Sequence, residues 1–140
     1  MSGARSYHAG LAAEDQVARY YARSGRQVCA RRWRGSAGEI DLIARQGAEV
    51  IFIEVKQSAT HALAAEHLTP RQMARIYASA SEFLAGEPAG QMTESRFDVA
   101  LVNGAGQIEI LETPSPPDAF ASCAGLRHLG GVQTRRRRCP

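Results

Sequence analysis

Two runs of alternating polar and apolar residues flank a Gly-Ala pair in the first half of the chain. The first run covers residues 39–46 and the second covers residues 49–56, with Gly47 and Ala48 between them. Alternation with a period of two is typical of β-strands, because successive strand side chains point to opposite faces. Two such runs joined by a two-residue, glycine-containing loop predict a β-hairpin.

The two faces of this hairpin differ in their chemistry. Isoleucine, leucine, alanine and valine side chains cover one face without a break. The other face combines Phe52 with four charged residues: Glu39, Asp41, Glu54 and Lys56. Glycine at the first loop position favours a type II′ turn. The resulting register places Asp41 opposite Glu54 and Glu39 opposite Lys56.

Asp41 and Glu54 are candidate ligands of a divalent metal ion. Directly opposed side chains on paired strands have Cβ atoms about 5 Å apart. Two carboxylates at that distance repel each other unless a cation lies between them or one takes up a proton. Carboxylate oxygens are ligands that Mg²⁺ and Mn²⁺ favour. The alternative is a solvated hairpin face on which Glu39 and Lys56 form an ordinary cross-strand ion pair.

Two features favour the metal site over the solvated face. Because Phe52 shares the charged face, we expect that face to be partly covered, where unpaired carboxylates are costly. In addition, Lys56 is the single lysine of a chain whose other 16 basic residues are all arginine. An ammonium group is a compact point charge whose pKa shifts readily, and a guanidinium does not imitate it easily. The retained amine indicates a chemical role for Lys56.

The same residues resemble a known protein family. An Asp on one strand followed by Glu-x-Lys on the next resembles the PD-(D/E)xK motif of restriction-endonuclease-like nucleases. More narrowly, Gly-Glu-Ile-Asp-Leu-Ile-Ala at residues 38–44 and Phe-Ile-Glu-Val-Lys at residues 52–56 resemble the YraN-like family of uncharacterised bacterial proteins. Arg-Trp-Arg at residues 32–34 and Arg-Phe-Asp-Val at residues 96–99 fit that family too. The resemblance spans roughly residues 7–120.

The resemblance implies an α/β fold with a restriction-endonuclease-like αβββαβ core, in which helices flank a mixed sheet. It implies hydrolysis of phosphodiester bonds in nucleic acid, with DNA favoured over RNA and branched or single-stranded DNA as the expected form. Asp41 and Glu54 would hold Mg²⁺ or Mn²⁺. Lys56 would position a water molecule or neutralise developing charge, and Glu39 would tune Lys56 or act as an outer ligand. A homodimer is a further expectation, because small nucleases of this fold often pair to cut two strands.

Glu14 is a further candidate ligand. Residues 7–24 predict a helix that ends at Gly25, and Glu14 falls on the apolar stripe of that helix. The resemblance implies that Glu14 either provides a third metal ligand or supports Lys56. The alternative is that Glu14 only favours the positive N-terminal end of the helix.

Two groups of side chains are candidate contacts for nucleic acid. The first ends a strand predicted at residues 27–33: Arg31, Arg32, Trp33 and Arg34. Arginines hold phosphates, and an aromatic ring among them can stack on a base. The second lies at the start of a helix that begins at the Thr69-Pro70 cap: Arg71, Gln72 and Arg75. Helix N-termini favour anions. For both groups a solvated surface is the alternative interpretation.

The rest of the chain defines the limits of the domain. Apolar runs at residues 96–103 and 107–112 predict two strands after the second helix. The first should lie parallel to the Glu54 strand, because a helical crossover separates the two. We therefore predict a nuclease-like domain at residues 7–120, preceded by a disordered lead-in at residues 1–6. Residues 121–140, which include four consecutive arginines, predict a disordered basic tail.

Composition adds expectations about compartment and charge. The chain has 140 residues, of which 44% are hydrophobic, enough for one domain with a core. No apolar run approaches the roughly 20 residues of a membrane span. The N-terminus shows no signal region, and the three cysteines lack metal-like spacing. We therefore expect a cytoplasmic protein that does not associate with membranes.

Charge is distributed unevenly along the sequence. Residues 1–45 carry eight arginines and four acidic residues, whereas residues 46–126 carry four basic and ten acidic residues. This asymmetry is consistent with a nucleic acid that crosses one side of the protein.

Three functions remain open from the sequence. The first is a metal-dependent nuclease. The second is a non-catalytic nucleic-acid-binding or accessory protein that retains the nuclease fold. The third is a structural charge cluster, which predicts a Glu39–Lys56 pair and no affinity for metal.

Overall fold

The structure, a computed structural model, describes residues 2–114 and 135–138. The helices are α1 (Ser2–Arg23), α2 (His61–Glu66) and α3 (Pro70–Ala85), with a 3-10 turn at Gly90–Met92. The strands are β1 (Gln27–Arg34), β2 (Glu39–Gln46), β3 (Glu49–Gln57), β4 (Ser95–Val102), β5 (Ile108–Pro114) and β6 (Arg135–Arg138).

Within these residues the strands form one six-stranded sheet that follows chain order from β1 to β6. Strands β3 and β4 are parallel and are joined by the segment that contains α2 and α3. The other neighbouring strands are antiparallel. The α/β fold, with its mixed sheet and flanking helices, is therefore confirmed and is consistent with an αβββαβ core. The predicted parallel pairing is confirmed as well.

The β2–β3 hairpin has the predicted register next to its turn. Gln46 pairs with Glu49, and the ladder continues to Leu42 paired with Ile53. Gly47 has φ 60°, which agrees with the positive φ that a type II′ turn requires at its first loop position. Counted from the turn, the ladder ends at Leu42, so Asp41 is the first residue of β2 beyond it.

Helices cover both faces of the sheet, whereas the sequence predicted a single apolar face of the hairpin. On one face, α1 packs through Ala13, Val17, Ala18 and Tyr21 on a cluster that includes Leu42 and Ile53. On the other face, α3 packs on a second apolar cluster. Its sheet residues include Ile40, Ile43, Val50, Phe52 and Phe97. The predicted polar face is thus largely a second core, and charged side chains remain only near the ends of the strands.

A buried polar contact joins α1 to β4. The Tyr21 hydroxyl donates a hydrogen bond of 2.5 Å to Asp98 Oδ2, and the Arg96 Nε donates one of 3.1 Å to Asp98 Oδ1. Asp98 is 1% exposed, and a buried carboxylate needs such partners. Asp98 is thus a structural residue that joins α1 to β4.

The two ends of the described chain differ from the sequence-based expectation. Helix α1 begins at Ser2, so residues assigned to a disordered lead-in belong to the helix. Residues 135–138, assigned to a disordered tail, form β6 and pair with β5. The other residues of the predicted tail, 121–134 and 139–140, lie outside the described part. Among the described helices, none is both long enough and apolar enough to cross a membrane.

Candidate metal and nucleic-acid site

Asp41 and Glu54 lie on neighbouring strands at the point where the β2–β3 ladder ends. The Val55 backbone N–H donates a hydrogen bond of 2.9 Å to Asp41 Oδ2. The aspartate side chain therefore accepts a hydrogen bond from β3 just beyond the last backbone pair of the ladder, Leu42 with Ile53. Glu54 follows the buried residues 50–53 and is itself only 7% exposed.

The two oxygens of Glu54 have different surroundings. Lys56 Nζ lies 3.3 Å from Oε1, and the Gln72 side-chain amide donates to the same oxygen at 3.4 Å. Oε2 is buried, and none of the described groups hydrogen-bonds to it. Because buried polar atoms are normally satisfied, an acceptor without a donor indicates room for a ligand or a proton.

The carboxylates of the pair are electrostatically coupled. Burial, and then the negative charge of Asp41, raises the pKa of Glu54 to about 8 against the opposing effect of Lys56. Burial also raises the pKa of Asp41, although the Val55 N–H and the Lys56 charge oppose that shift. When no cation is bound, burial and mutual repulsion therefore favour uptake of a proton by the pair.

Glu14 approaches this pair from α1 but is engaged by an arginine. Arg32 Nε lies 3.2 Å from Glu14 Oε2, and the glutamate side chain is 15% exposed. Burial raises the pKa of Glu14, the hydrogen bond from Arg32 opposes the shift, and the charge of Asp41 adds to it. Across the described residues no three His, Cys, Asp or Glu side chains are grouped closely enough to hold a metal ion. Glu14 as a third ligand therefore stays a prediction.

The predicted pairing of Glu39 with Lys56 is wrong. Glu39 pairs with Arg34 across the β1–β2 ladder, and Arg34 Nη2 lies 2.8 Å from Glu39 Oε1. Lys56 is paired with Glu54 instead. The reason is that the β2–β3 ladder stops at Leu42, whereas the β1–β2 ladder continues to Glu39. The ion pairs of these residues therefore give no support to a catalytic role of Glu39 through Lys56.

The predicted arginine cluster lies at the same end of the sheet and is held by acidic residues. Arg31 lies 2.5 Å from Asp15 of α1, and Arg32 bonds Glu14 as described above. Consecutive strand residues normally face opposite sides, but Arg32 adopts a left-handed conformation with φ 48°. With this backbone conformation, the side chains of both Arg31 and Arg32 contact acidic residues of α1.

Trp33 is part of the core on the α3 side. Its ring meets the Phe83 ring edge-on, with 5.4 Å between the centroids. The ring is half-buried among apolar side chains. The Trp33 ring is thus packed against the core, and base stacking by Trp33 stays a prediction.

The three predicted residues of α3 divide between the site and the surface. Gln72, in the first turn, touches Glu54, whereas Arg71 and Arg75 are exposed. The Thr69 hydroxyl accepts a hydrogen bond from the Gln72 backbone N–H, which caps the helix as predicted. The positive end of α3 is therefore close to the acidic pair.

Comparison with known sequences identifies the family. The sequence profile described as "Uncharacterised protein family UPF0102" matches residues 13–102. The chain belongs to this family. A UPF0102 protein of Cereibacter sphaeroides (strain KD131) is 70% identical over 122 residues, which is 87% of this chain and all of the relative.

Two further UPF0102 proteins show how far the similarity extends. One from Ruegeria pomeroyi is 60% identical over 110 residues, 79% of this chain and 89% of the relative. One from Dinoroseobacter shibae is 46% identical over 109 residues, 78% of this chain and 81% of the relative. The segment matched by the UPF0102 profile contains every residue predicted above for catalysis, metal binding or nucleic-acid binding.

Some contacts of the site were missed by the sequence analysis. The Val55 backbone amide that binds Asp41 leaves no sequence signal, because every residue except proline has an N–H. Gln72 was predicted to contact nucleic acid, whereas in the structure its side chain contacts Glu54. Asp15 was not recognised as the partner of Arg31, since the two residues are 16 positions apart and on different elements.

Proposed function

We propose that this chain is a metal-dependent nuclease that hydrolyses phosphodiester bonds of DNA, in branched or single-stranded form. The observation that carries the proposal is the acidic pair at the end of the β2–β3 ladder. Glu54 Oε2 is buried without a donor among the described groups, and the chain's only lysine lies 3.3 Å from the other oxygen of Glu54.

The donor set fits a hard divalent cation such as Mg²⁺ or Mn²⁺. Both candidate ligands are carboxylates, and burial raises the pKa values of Glu54 and Asp41. Mg²⁺ is commonly bound by one or two carboxylates together with substrate phosphates and water. Asp41 and Glu54 would therefore hold the cation without requiring Glu14 as a third ligand.

A bound cation would supply Lewis-acid chemistry, which polarises a phosphate and lowers the pKa of a water molecule. The residues of the chain have separate tasks around it. Asp41 is fixed by the Val55 N–H, so its carboxylate is preorganised. Gln72 orients Glu54 through Oε1. Glu54 must release its proton before it can act as an anionic ligand.

Lys56 is suited to stabilise negative charge on the reacting phosphate. Its side chain is 15% exposed, so its ammonium group is only weakly screened by solvent. An ammonium beside developing negative charge is a recurring source of transition-state stabilisation. Lys56 would either contact the phosphate oxygens or orient the attacking water.

Cleavage assays with matched variants test the proposal. Labelled single-stranded, forked and duplex DNA would be incubated with wild type, Asp41→Asn, Glu54→Gln and Lys56→Ala in Mg²⁺, in Mn²⁺ or with chelator. We expect metal-dependent cleavage by wild type and losses of about 100-fold or more in each variant. Glu66→Gln, which changes an exposed acid on α2, should cleave like wild type.

The outcomes separate the nuclease from its main alternative. Metal-dependent binding of DNA without any product would favour a non-catalytic binding or accessory protein. Wild-type cleavage rates in Asp41→Asn or Lys56→Ala would refute the assigned roles. Cleavage of both strands of a duplex would extend the proposal to a homodimer, to be checked by sedimentation.

A further inference from the structure

An open groove runs along the seam between the second half of α1 and the start of β1. Its volume is about 510 Å³, within the roughly 300–1,000 Å³ of typical ligand sites. Small apolar side chains and arginines contribute most of the lining: Ala18, Ala22, Val28, Arg19, Arg26 and Arg31. An apolar floor with guanidinium groups suits a ligand that has both apolar surface and negative charge.

The arginines of the groove differ in how firmly they are engaged. Arg31 is paired with Asp15, but both side chains are about half exposed. Arg26 Nε donates to the Gln46 side chain at 3.2 Å, and its guanidinium lies 5.5 Å from the Tyr21 ring centroid. Within the described part of the chain, no carboxylate lies at ion-pair distance from Arg26 or from the exposed Arg19. Among the described residues these two cations therefore lack an anionic partner.

The Arg31 end of the groove points toward the acidic pair, because Arg31 pairs with Leu42, the neighbour of Asp41, across the β1–β2 ladder. Arg31 precedes Arg32 on β1, and the positive charge of Arg32 acts on both Glu14 and Asp41. On α1, Arg19 lies four residues beyond Asp15, about 6 Å farther along the helix axis. Arginine side chains therefore follow the seam from the neighbourhood of Asp41 toward Arg26. At the Asp41 end, Arg31 and Arg32 are paired with Asp15 and Glu14. Arg19 and Arg26, in contrast, carry positive charge that no described carboxylate compensates.

We propose that this groove holds a single strand of DNA that runs from the acidic pair along α1, with phosphates on Arg19, Arg26 and Arg31. The inference rests on the proposed nuclease function and narrows its substrate to DNA with a single-stranded arm. Basic grooves follow the backbone of single strands in other binding proteins. Here the alanine and valine side chains of the groove would lie beneath the bases. An acidic peptide fits less well, because its carboxylate side chains offer little apolar surface to the alanine and valine side chains of the groove.

Fluorescence anisotropy with chelator present tests the groove without cleavage. A forked DNA with a labelled single-stranded arm would be compared with the matching blunt duplex at several salt concentrations. We expect the double variant Arg19→Gln/Arg26→Gln to bind the fork at least tenfold more weakly. Its salt slope should fall by roughly 1.4, since each lost phosphate contact on a single strand removes about 0.7. Binding of the blunt duplex should change less than twofold.

Two control variants make the test specific. Arg23→Gln removes the same charge from the last turn of α1, outside the groove, and should leave fork binding within twofold of wild type. Arg19→Lys keeps the charge and should keep the wild-type salt slope. If Arg23→Gln and the double variant lost equal affinity for the fork, the proposed groove would be refuted. It would also be refuted if the double variant bound the fork as tightly as wild type.

The occupant and the underlying function are tested separately. Displacement of the fork by dAMP or by poly-glutamate as effectively as by a single-stranded oligonucleotide would refute the single strand as occupant. Arginine-dependent fork binding by a wild type that cleaves no DNA would refute the nuclease and retain the groove. Cleavage that needs Asp41 and Glu54, combined with fork binding independent of the arginines, would refute the groove alone.

Discussion

A nearly buried carboxylate is costly unless hydrogen bonds or a positive charge compensate it. Glu54 is compensated at one oxygen only, by Lys56 and Gln72. Its neighbour Asp41 adds negative charge rather than removing it. A proton relieves this conflict in the metal-free protein, and a divalent cation would relieve it in the proposed active form. Titration and metal binding are thus two responses of one pair of side chains.

The proton on Glu54 predicts how stability depends on pH. The folded state keeps this proton up to about pH 8, whereas the unfolded state releases it near the ordinary pKa of 4.5. Between these values the folded state binds more protons, so the free energy of unfolding falls as pH rises. One such group contributes at most about 1.4 kcal/mol per pH unit.

Urea unfolding from pH 4.5 to pH 8.5 with chelator present measures this effect. Glu54→Gln cannot release a proton, so its curve should fall less steeply than that of wild type over the same range. Glu66→Gln serves as control and should follow wild type. Parallel pH profiles for wild type and Glu54→Gln would contradict the raised pKa.

At the scale of elements, the loop between β1 and β2 positions the start of β2, the strand that carries Asp41. The Ser79 hydroxyl of α3 donates to the Gly38 carbonyl at 2.8 Å, and the Ser36 backbone N–H donates to Glu82 Oε2 at 2.9 Å. Local composition could not reveal tethers that come from a helix more than 40 residues away.

Substitution of Gly35 tests whether this loop is docked on α3. A Cβ at Gly35 would lie 2.9 Å from Ser79 Oγ and 3.0 Å from Ser79 Cβ. Because Ser79 is fully buried, Gly35→Ala should lower the free energy of unfolding by about 1–3 kcal/mol. Chemical denaturation measures the change.

Gly10→Ala provides a control of opposite sign. Gly10 lies within α1, and a Cβ added there would meet no other group within 4 Å. Alanine is favoured over glycine in helices by up to about 1 kcal/mol. This variant should be unchanged or slightly stabilised. A neutral Gly35→Ala would show that the loop is not held against α3.

The hairpin was predictable because its signals are local. Alternation and a glycine turn determine the register near Gly47 without reference to the rest of the chain. The orientation of α1 was harder to predict. Its buried residues are Ala13, Val17, Ala18 and Tyr21, whereas Glu14, which was placed on the apolar stripe, is paired with Arg32. The Tyr21–Asp98 bond and the arginines of β1 fix that orientation, and both are long-range contacts.

At the scale of the whole molecule, two apolar clusters enclose the central strands between α1 and α3. The acidic pair lies where the hairpin ladder ends and both helices approach. The pattern of charge was harder to interpret than the core. The four arginines at 135–138 predicted disorder by composition, yet they pair with β5 in a register that places Arg135 opposite Glu112 and Arg138 opposite Glu109. Residues so distant in sequence gave no local signal for that strand.

Metal binding to the folded pair should stabilise the entire domain. A ligand that binds only the folded state adds about 2.7 kcal/mol at 100 times its Kd. We therefore expect Mn²⁺ to raise the unfolding midpoint of wild type and of Glu66→Gln, but not that of Asp41→Asn. Thermal unfolding with and without Mn²⁺ measures the shift. Equal stabilisation of Asp41→Asn would place the metal elsewhere.

Anomalous diffraction from a crystal soaked in Mn²⁺ tests the central claim most directly. We predict a manganese peak between the carboxylates of Asp41 and Glu54, and no such peak in crystals of Glu54→Gln. A peak confined to other residues, or a fully soaked crystal in which the pair binds no manganese, would contradict the metal site and the nuclease proposed on it.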